Sequence, residues 1–287
     1  LSDERRMSPC LPTEYEAQAT VQDTTVTWKS AVRTYGDKVR PSTRHFDPMQ
    51  AAAQPFLSDS AVLPLIAYYG TGRLWSEQRQ TEYRRSSVTN VGERVAGYAD
   101  CLTSSSSFKG ISAWFEHRFR QTASPSFRES LQANLAMIEG VKTATDTVLQ
   151  PTGWSSLRWD DELHTLTAKH ETRGELPLSM LSDGVRTMLA LVADVARRCA
   201  SLNPQLSDRA SIETPGVLIV DEVDMHLHPR WQQQVLGLLQ SAFPKLQIIV
   251  STHSPHVLST VDKSSIRVLH IRDGDVVIET PLIQTRG

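Results

Sequence analysis

A chain of 287 residues with 39% hydrophobic content is long enough for one large domain or two smaller ones around a real core. Lys and Arg total 30 against 32 for Asp and Glu, a net charge of -2, which excludes a global pull toward nucleic acid and confines any DNA contact to a local patch. No apolar run approaches the roughly 20 residues a bilayer span needs, and the polar start is not signal-like, so a cytoplasmic protein without membrane contact is expected. Cys10, Cys101 and Cys199 are scattered and form no CxxC pair, which fits a reducing compartment and argues against a Cys-based zinc site.

Residues 1–60 read as polar and irregular, because Pro12, Pro41, Pro48 and Pro55 interrupt any long period; 24–30 (TTVTWKS) is the candidate strand there. Residues 61–75 open on AVLPLIAYY, a buried strand running into the turn Gly70-Thr71-Gly72-Arg73. Between 76 and 150, Ser/Thr-rich stretches at 86–90 and 103–107 precede two predominantly helical segments, 111–122 and 127–147, which together read as a helical insertion. Trp114, Phe115 and Phe119 lie within one or two turns of each other and read as core packing. Residues 157–160 and 163–169, around Asp161-Glu162, suggest a hairpin, and 171–176 leads out of it.

Apolar or small side chains at Val185, Met188, Leu189, Val192, Val195, Ala196 and Cys199 recur at three- and four-residue spacing, so an amphipathic helix follows Leu181-Ser182-Asp183-Gly184, with Ser182 or Asp183 as its cap. The run 216–220 (GVLIV) suits a strand buried on both faces; a helix is expected to open at Pro229 and close before Pro244, and 246–251 is a second such strand. Strand, helix, strand in this order predicts a βαβ unit with a parallel sheet. The tail, 266–278, reads as two strands joined at Asp273-Gly274.

Two adjacent carboxylates, Asp221 and Glu222, end an apolar strand at the edge where open α/β sheets bind ligands. In nucleotide hydrolases the first of such a pair holds Mg²⁺ and the second polarises the attacking water. The next strand ends in Ser251-Thr252-His253-Ser254-Pro255, where a histidine can reach a γ-phosphate. The free N–H groups of the helix start, with the Ser182 hydroxyl and the bare Gly184 backbone, suit an anion. Singly, each has a plainer reading: a solvated strand end, a loop histidine and a helix cap.

LSDG, a helix, LIVDE, a helix and IIVSTHSP follow the order of the signature, Walker B and switch regions of ABC-type ATPases. The sequence resembles the ATPases of the SMC-like, RecF-like and OLD-like branch, closest to ATP-binding proteins of phage-defence operons such as Septu and retron systems, most strongly over residues 177–272. The resemblance implies an α/β fold, a parallel-sheet P-loop NTPase core with a helical insertion and peripheral β-hairpins. In it, 1–60 is a remnant of an N-terminal lobe, 61–75 a core strand and glycine turn, 76–150 the insertion and 151–287 the C-terminal lobe. It implies ATP and Mg²⁺ as cofactors, Asp221 on the metal, Glu222 as catalytic base and His253 as switch histidine. Ser182, Asp183 and Gly184 would face a nucleotide held by a second subunit, His228 would join the nucleotide-binding set, and 223–229 (VDMHLHP) would cross a homodimer interface. A nuclease effector acting on DNA is the implied partner.

The chain departs from that pattern in having no GxxxxGK followed by Ser or Thr, the loop that cradles phosphates. With the chain opening at Leu1, the expectation is that this lobe was cut away, lies outside the chain or is encoded elsewhere; the turn at Gly70-Thr71-Gly72-Arg73 is a weak substitute. Two other readings stay open. Asp224, His226 and His228, joined by His253 and His256, form an alternating metal-ligand set for a hydrolase. A pseudo-ATPase or dimerisation module is the non-enzymatic alternative.

Overall fold

A computed structural model describes residues 13–21, 24–35, 38–42, 58, 60–74, 94–102, 108–123, 131–272 and 275–281. The chain divides into two compact units, Leu1–Ala61 and Val62–Gly287. The Ser/Thr-rich stretches at 86–90 and 103–107, and the Asp273-Gly274 turn, fall outside the described residues.

In the first unit, β1 (Thr13–Val21), β2 (Thr24–Tyr35) and β3 (Lys38–Ser42) form an antiparallel meander in that order. Over these strands this corrects the irregular reading of residues 1–60, and the strand expected at 24–30 lies within β2. Thr, Val, Tyr and Trp recur through β1 and β2 and favour pleated backbone, whereas prolines drew the sequence reading toward loops. Pro41 lies in β3, an edge strand, the kind of position where a sheet tolerates proline.

The second unit runs in chain order through β4 (Leu65–Tyr69), α1 (Phe108–Ala123), α2 (Leu131–Leu149), β5 (Trp154–Asp160), β6 (Thr165–His170) and β7 (Gly174–Pro177). It continues through α3 (Asp183–Leu202), α4 (Ala210–Glu213), β8 (Gly216–Val220), α5 (Pro229–Gln232), α6 (Val235–Ala242), β9 (Leu246–Val250), α7 (Pro255–Leu258), β10 (Val268–Arg272) and β11 (Asp275–Glu279). The expected βαβ unit is present: β4, β8 and β9 form a parallel sheet with β8 in the middle. β5, β6 and β7 pair antiparallel, as do β10 and β11. Phe115 is buried, while Trp114 is half-buried and Phe119 partly exposed.

The structure differs from expectation in two places here. β8 and β9 were expected to be buried on both faces; Leu218, Val220 and Leu246 are buried, but Ile219 is 36% exposed and shares its face with Ile66 and Ile249, each 46% exposed. The single helix expected from Pro229 is two pieces, because the Gln234 N–H turns back to the Trp231 carbonyl at 2.9 Å and breaks the regular ladder. β4 and β8 approach so closely at their starts that a Cβ on Gly216, where φ is +148°, would fall 2.0 Å from the Leu65 carbonyl oxygen.

α3 packs against β4 on one side and against α1 and α2 on others, and it is buried nearly all round, polar residues such as Thr187, Asp194 and Arg198 included. Its one buried carboxylate, Asp194, is 2% exposed and fully engaged. It accepts from Tyr69 Oη at 2.7 Å, Arg198 Nε at 2.9 Å and Arg197 at 2.6 Å. Arg198 also donates to the carbonyls of Gly97 and Ala99, at 2.8 Å each. At the C-cap of the helix, buried Asn203 clamps the lead-in to β4, accepting from Leu63 N at 2.7 Å and donating to Leu63 O at 2.9 Å. Burial alone would raise the Asp194 pKa, but the charges of Arg197 and Arg198 outweigh it and bring it from 3.8 to about 2.

Replacing Asp194 by Asn leaves two cations poorly compensated, and is expected to cost about 3 kcal/mol or more in urea unfolding at neutral pH. The folded-state pKa is depressed, so this stabilisation is present above the ordinary carboxylate value and is lost as pH falls from about 4 toward about 2. The stability gap between wild type and Asp194→Asn should therefore narrow over that window.

Candidate functional site

The register of the parallel sheet sets the site. Tyr69 pairs with Val220 and Val220 with Val250, so the next residues, Gly70, Asp221 and Ser251, leave the carboxyl edge side by side. The ladder runs one step past the strands: Asp221 N donates to Tyr69 O at 2.8 Å, Ser251 N to Val220 O at 3.0 Å and Val223 N to Ser251 O at 3.1 Å. Thr71 and Gly72, in the short 3-10 turn Thr71–Leu74, are exposed at the same edge.

Ser251 joins the two acidic positions. Its hydroxyl donates to Asp221 Oδ1 and accepts from Glu222 N at 2.8 Å. The Glu222 backbone is left-handed, with φ +46°, and so is that of His226, at +64°. Each such non-glycine residue costs on the order of 1 kcal/mol, and the Ser251 contact is one interaction that holds the first. The sequence placed Ser251 within a polar cluster without giving it a role; the signal was its position, immediately after a strand in register with the one ending at Asp221.

Thr252 donates through Oγ1 to Asp224 Oδ1, and Ser254 caps α7 by accepting from His256 N and Val257 N. His253 lies between them and is exposed, as is His256. His228 is the N-cap of α5, accepting from Arg230 N through Nδ1 at 3.3 Å. These placements overturn the alternating metal-ligand set. Residues 221–226 are a run of turns rather than a strand, so Asp224, His226 and His228 share no face, and among the described residues no three His, Cys, Asp or Glu side chains gather to hold a metal.

The start of α3 reaches the same loop. Ser182 holds the N-cap position in extended backbone, but its side chain makes no capping bond, and it is exposed. Asp183 is exposed as well and is paired with Arg186 at 2.7 Å. Gly184 is buried beneath the loop after β8: a Cβ there would lie 2.4 Å from the His226 carbonyl oxygen. The bareness of Gly184 is thus used inside the chain, joining the helix start to the loop that follows the acidic pair.

Half-buried Asp221 presents an oxygen donor beside the Ser251 hydroxyl, a set suited to a hard cation such as Mg²⁺ that keeps water and phosphate oxygens as its other ligands. No GxxxxGK[ST] loop lies in the sequence to cradle the phosphates themselves. Among the described residues, no helix is long and apolar enough to cross a membrane.

A family model described as "AAA domain, putative AbiEii toxin, Type IV TA system" matches residues 36–259. The chain is 43% identical over 99 residues to the "Retron Vc95 probable ATPase" of Vibrio cholerae serotype O1 biovar El Tor, covering 34% of this chain and 19% of that protein. It is 27% identical over 179 residues to the "Septu protein PtuA" of Bacillus thuringiensis, covering 60% of this chain and 42% of the relative. The chain thus spans less than half the length of either relative. Among solved structures, the SMC head domain from Thermotoga maritima aligns over 97% of this chain and 78% of its own, with TM-score 0.47 and 12% identity. The retron and Septu likeness agrees with the resemblance read from the sequence.

Gly184→Ala is expected to push the loop at His226 aside and to cost about 1–3 kcal/mol in thermal or urea unfolding. Gly237→Ala is its control: the added Cβ meets nothing within 4 Å in α6, and removing a helical glycine should stabilise by up to about 1 kcal/mol.

Proposed function

The chain belongs to the AAA domain family whose model spans residues 36–259, and from that membership we propose that it forms the part of an ATP-hydrolysing head that carries the metal-binding and water-activating carboxylates. The observation that carries this reading is the convergence of Asp221, Glu222 and the Ser251–His253 segment at one edge of a parallel sheet. Asp221 is assigned to Mg²⁺, which when bound neutralises charge on the transferring phosphate. Glu222 is assigned to the attacking water, which its carboxylate orients and deprotonates. His253, exposed just past Ser251, is assigned to the γ-phosphate.

The exposed start of α3 supports a second assignment. Ser182 and Asp183 would face a nucleotide held by another copy of the chain, with residues 223–229, His228 among them, at the interface of that homodimer. The phosphate cradle is assigned to a segment other than this one, in keeping with relatives more than twice as long as the part matched. By likeness to the retron and Septu proteins, the proposal extends to a cytoplasmic head whose closing and opening gates an effector, a nuclease acting on DNA.

Glu222→Gln in the full-length protein removes the base but keeps the shape of the side chain. ATP turnover is expected to fall about 100-fold or more, while ATP-dependent dimerisation, followed by light scattering, persists. Unchanged turnover would remove Glu222 from the mechanism, and a protein that neither binds nor hydrolyses ATP would favour the pseudo-ATPase.

A further inference from the structure

His253 is flanked by two hydroxyls, and both are tied to the loop after β8. Thr252 Oγ1 reaches the Asp224 carboxylate, and Ser254 N donates back to Thr252 Oγ1 at 3.0 Å. Ser254, only 7% exposed, donates through Oγ to Gln232 Oε1 at 2.8 Å. Gln232 ends α5 and is half-buried, and its Nε2 donates to the carbonyls of Leu227 at 3.0 Å and Asp224 at 3.3 Å.

The partners fix the orientation of this amide. Backbone carbonyls only accept, so the end facing Asp224 and Leu227 is the NH₂. Ser254 Oγ already accepts from His256 N and Val257 N, so its proton points to the Gln232 oxygen. A group that donates twice and accepts once at this reach is an amide; carboxylate, ammonium and hydroxyl side chains each fail one of those demands. The same loop abuts Gly184 through the His226 carbonyl. The start of α3 and the histidine segment therefore both meet the loop that follows the acidic pair, and Gln232 spans the second of these joints beside the Thr252–Asp224 bond.

Building on the ATPase reading above, we propose that Gln232 is a positioning residue: it holds the His253 segment and the loop after β8 as one body, so that His253 and Glu222 keep a fixed relation. It acts through Ser254 and the two carbonyls. A histidine displaced by about 1 Å loses much of its worth in a reaction governed by alignment.

The test uses the full-length protein with Gln232→Leu, which removes all three bonds, and Gln232→Glu, which can still accept from Ser254 but cannot donate to the carbonyls. For Gln232→Leu, kcat for ATP should fall about 10-fold or more with KM within about twofold, and amide exchange should quicken in both 224–228 and 254–258 while the β8 amides stay protected. For Gln232→Glu, exchange should quicken in 224–228 but stay near wild type in 254–258, a split that general destabilisation does not produce. Unchanged exchange in both segments of Gln232→Leu overturns the brace, and quickened exchange with kcat intact overturns its positioning role. The exchange readings need no hydrolysis, so they decide on the brace even where Glu222→Gln has shown the ATPase reading to be wrong.

Discussion

Burying the carboxylate of Asp194 costs several kcal/mol unless its charge and lone pairs are matched, and here two guanidinium groups and a phenol match them. The geometry that satisfies it allows little freedom. Tyr69 is the last residue of β4, so its hydrogen bond to Asp194 fixes α3 against the end of the sheet. The Tyr69 carbonyl in turn receives the Asp221 N–H, two atoms of one residue thereby linking the helix interior to the acidic edge. Asn203 repeats the device at the other end of β4, where it satisfies both polar groups of Leu63.

From that frame the acidic edge is built with short polar side chains rather than bulk. Ser251 serves Asp221 and Glu222 together, Thr252 serves Asp224, and Ser254 serves both α7 and Gln232. Each hydroxyl is both donor and acceptor, so one residue can join two segments, which a larger apolar residue could not do. The left-handed turns at Glu222 and His226 are held within this network, and the loop of eight residues between β8 and α5 carries most of the cross-links among the motif segments.

The parallel sheet was legible in the sequence because its strands are continuous apolar runs and the helices between them carry clear starts at Ser182 and Pro229. The acidic pair and His253 were legible from their places at strand ends. Other features left no such trace. An apolar run such as GVLIV reads the same whether one face or both are covered, so the exposure of Ile219 was not visible in it. The meander of β1 to β3 was hidden by prolines that an edge strand tolerates. Asp224, His226 and His228 suggested a shared face only because alternation was taken for strand, where the chain in fact turns. Ser251 meets Asp221 30 positions away and Gln232 meets Ser254 22 positions away, and nothing local to either residue announces such a contact.

The contact between Gly184 and His226 also bears on how the two positions can drift over evolutionary time. Position 184 is limited by volume, since even a methyl group would overlap the facing carbonyl oxygen. Position 226 contributes only its backbone oxygen to this contact, so the contact limits it no further than to residues that accept a left-handed backbone, chiefly Gly, Asn, Asp and His. Substitution is therefore lopsided across one contact: lineages can exchange the residue at 226 repeatedly while 184 stays glycine, and a covariation signal between them would be faint although they touch.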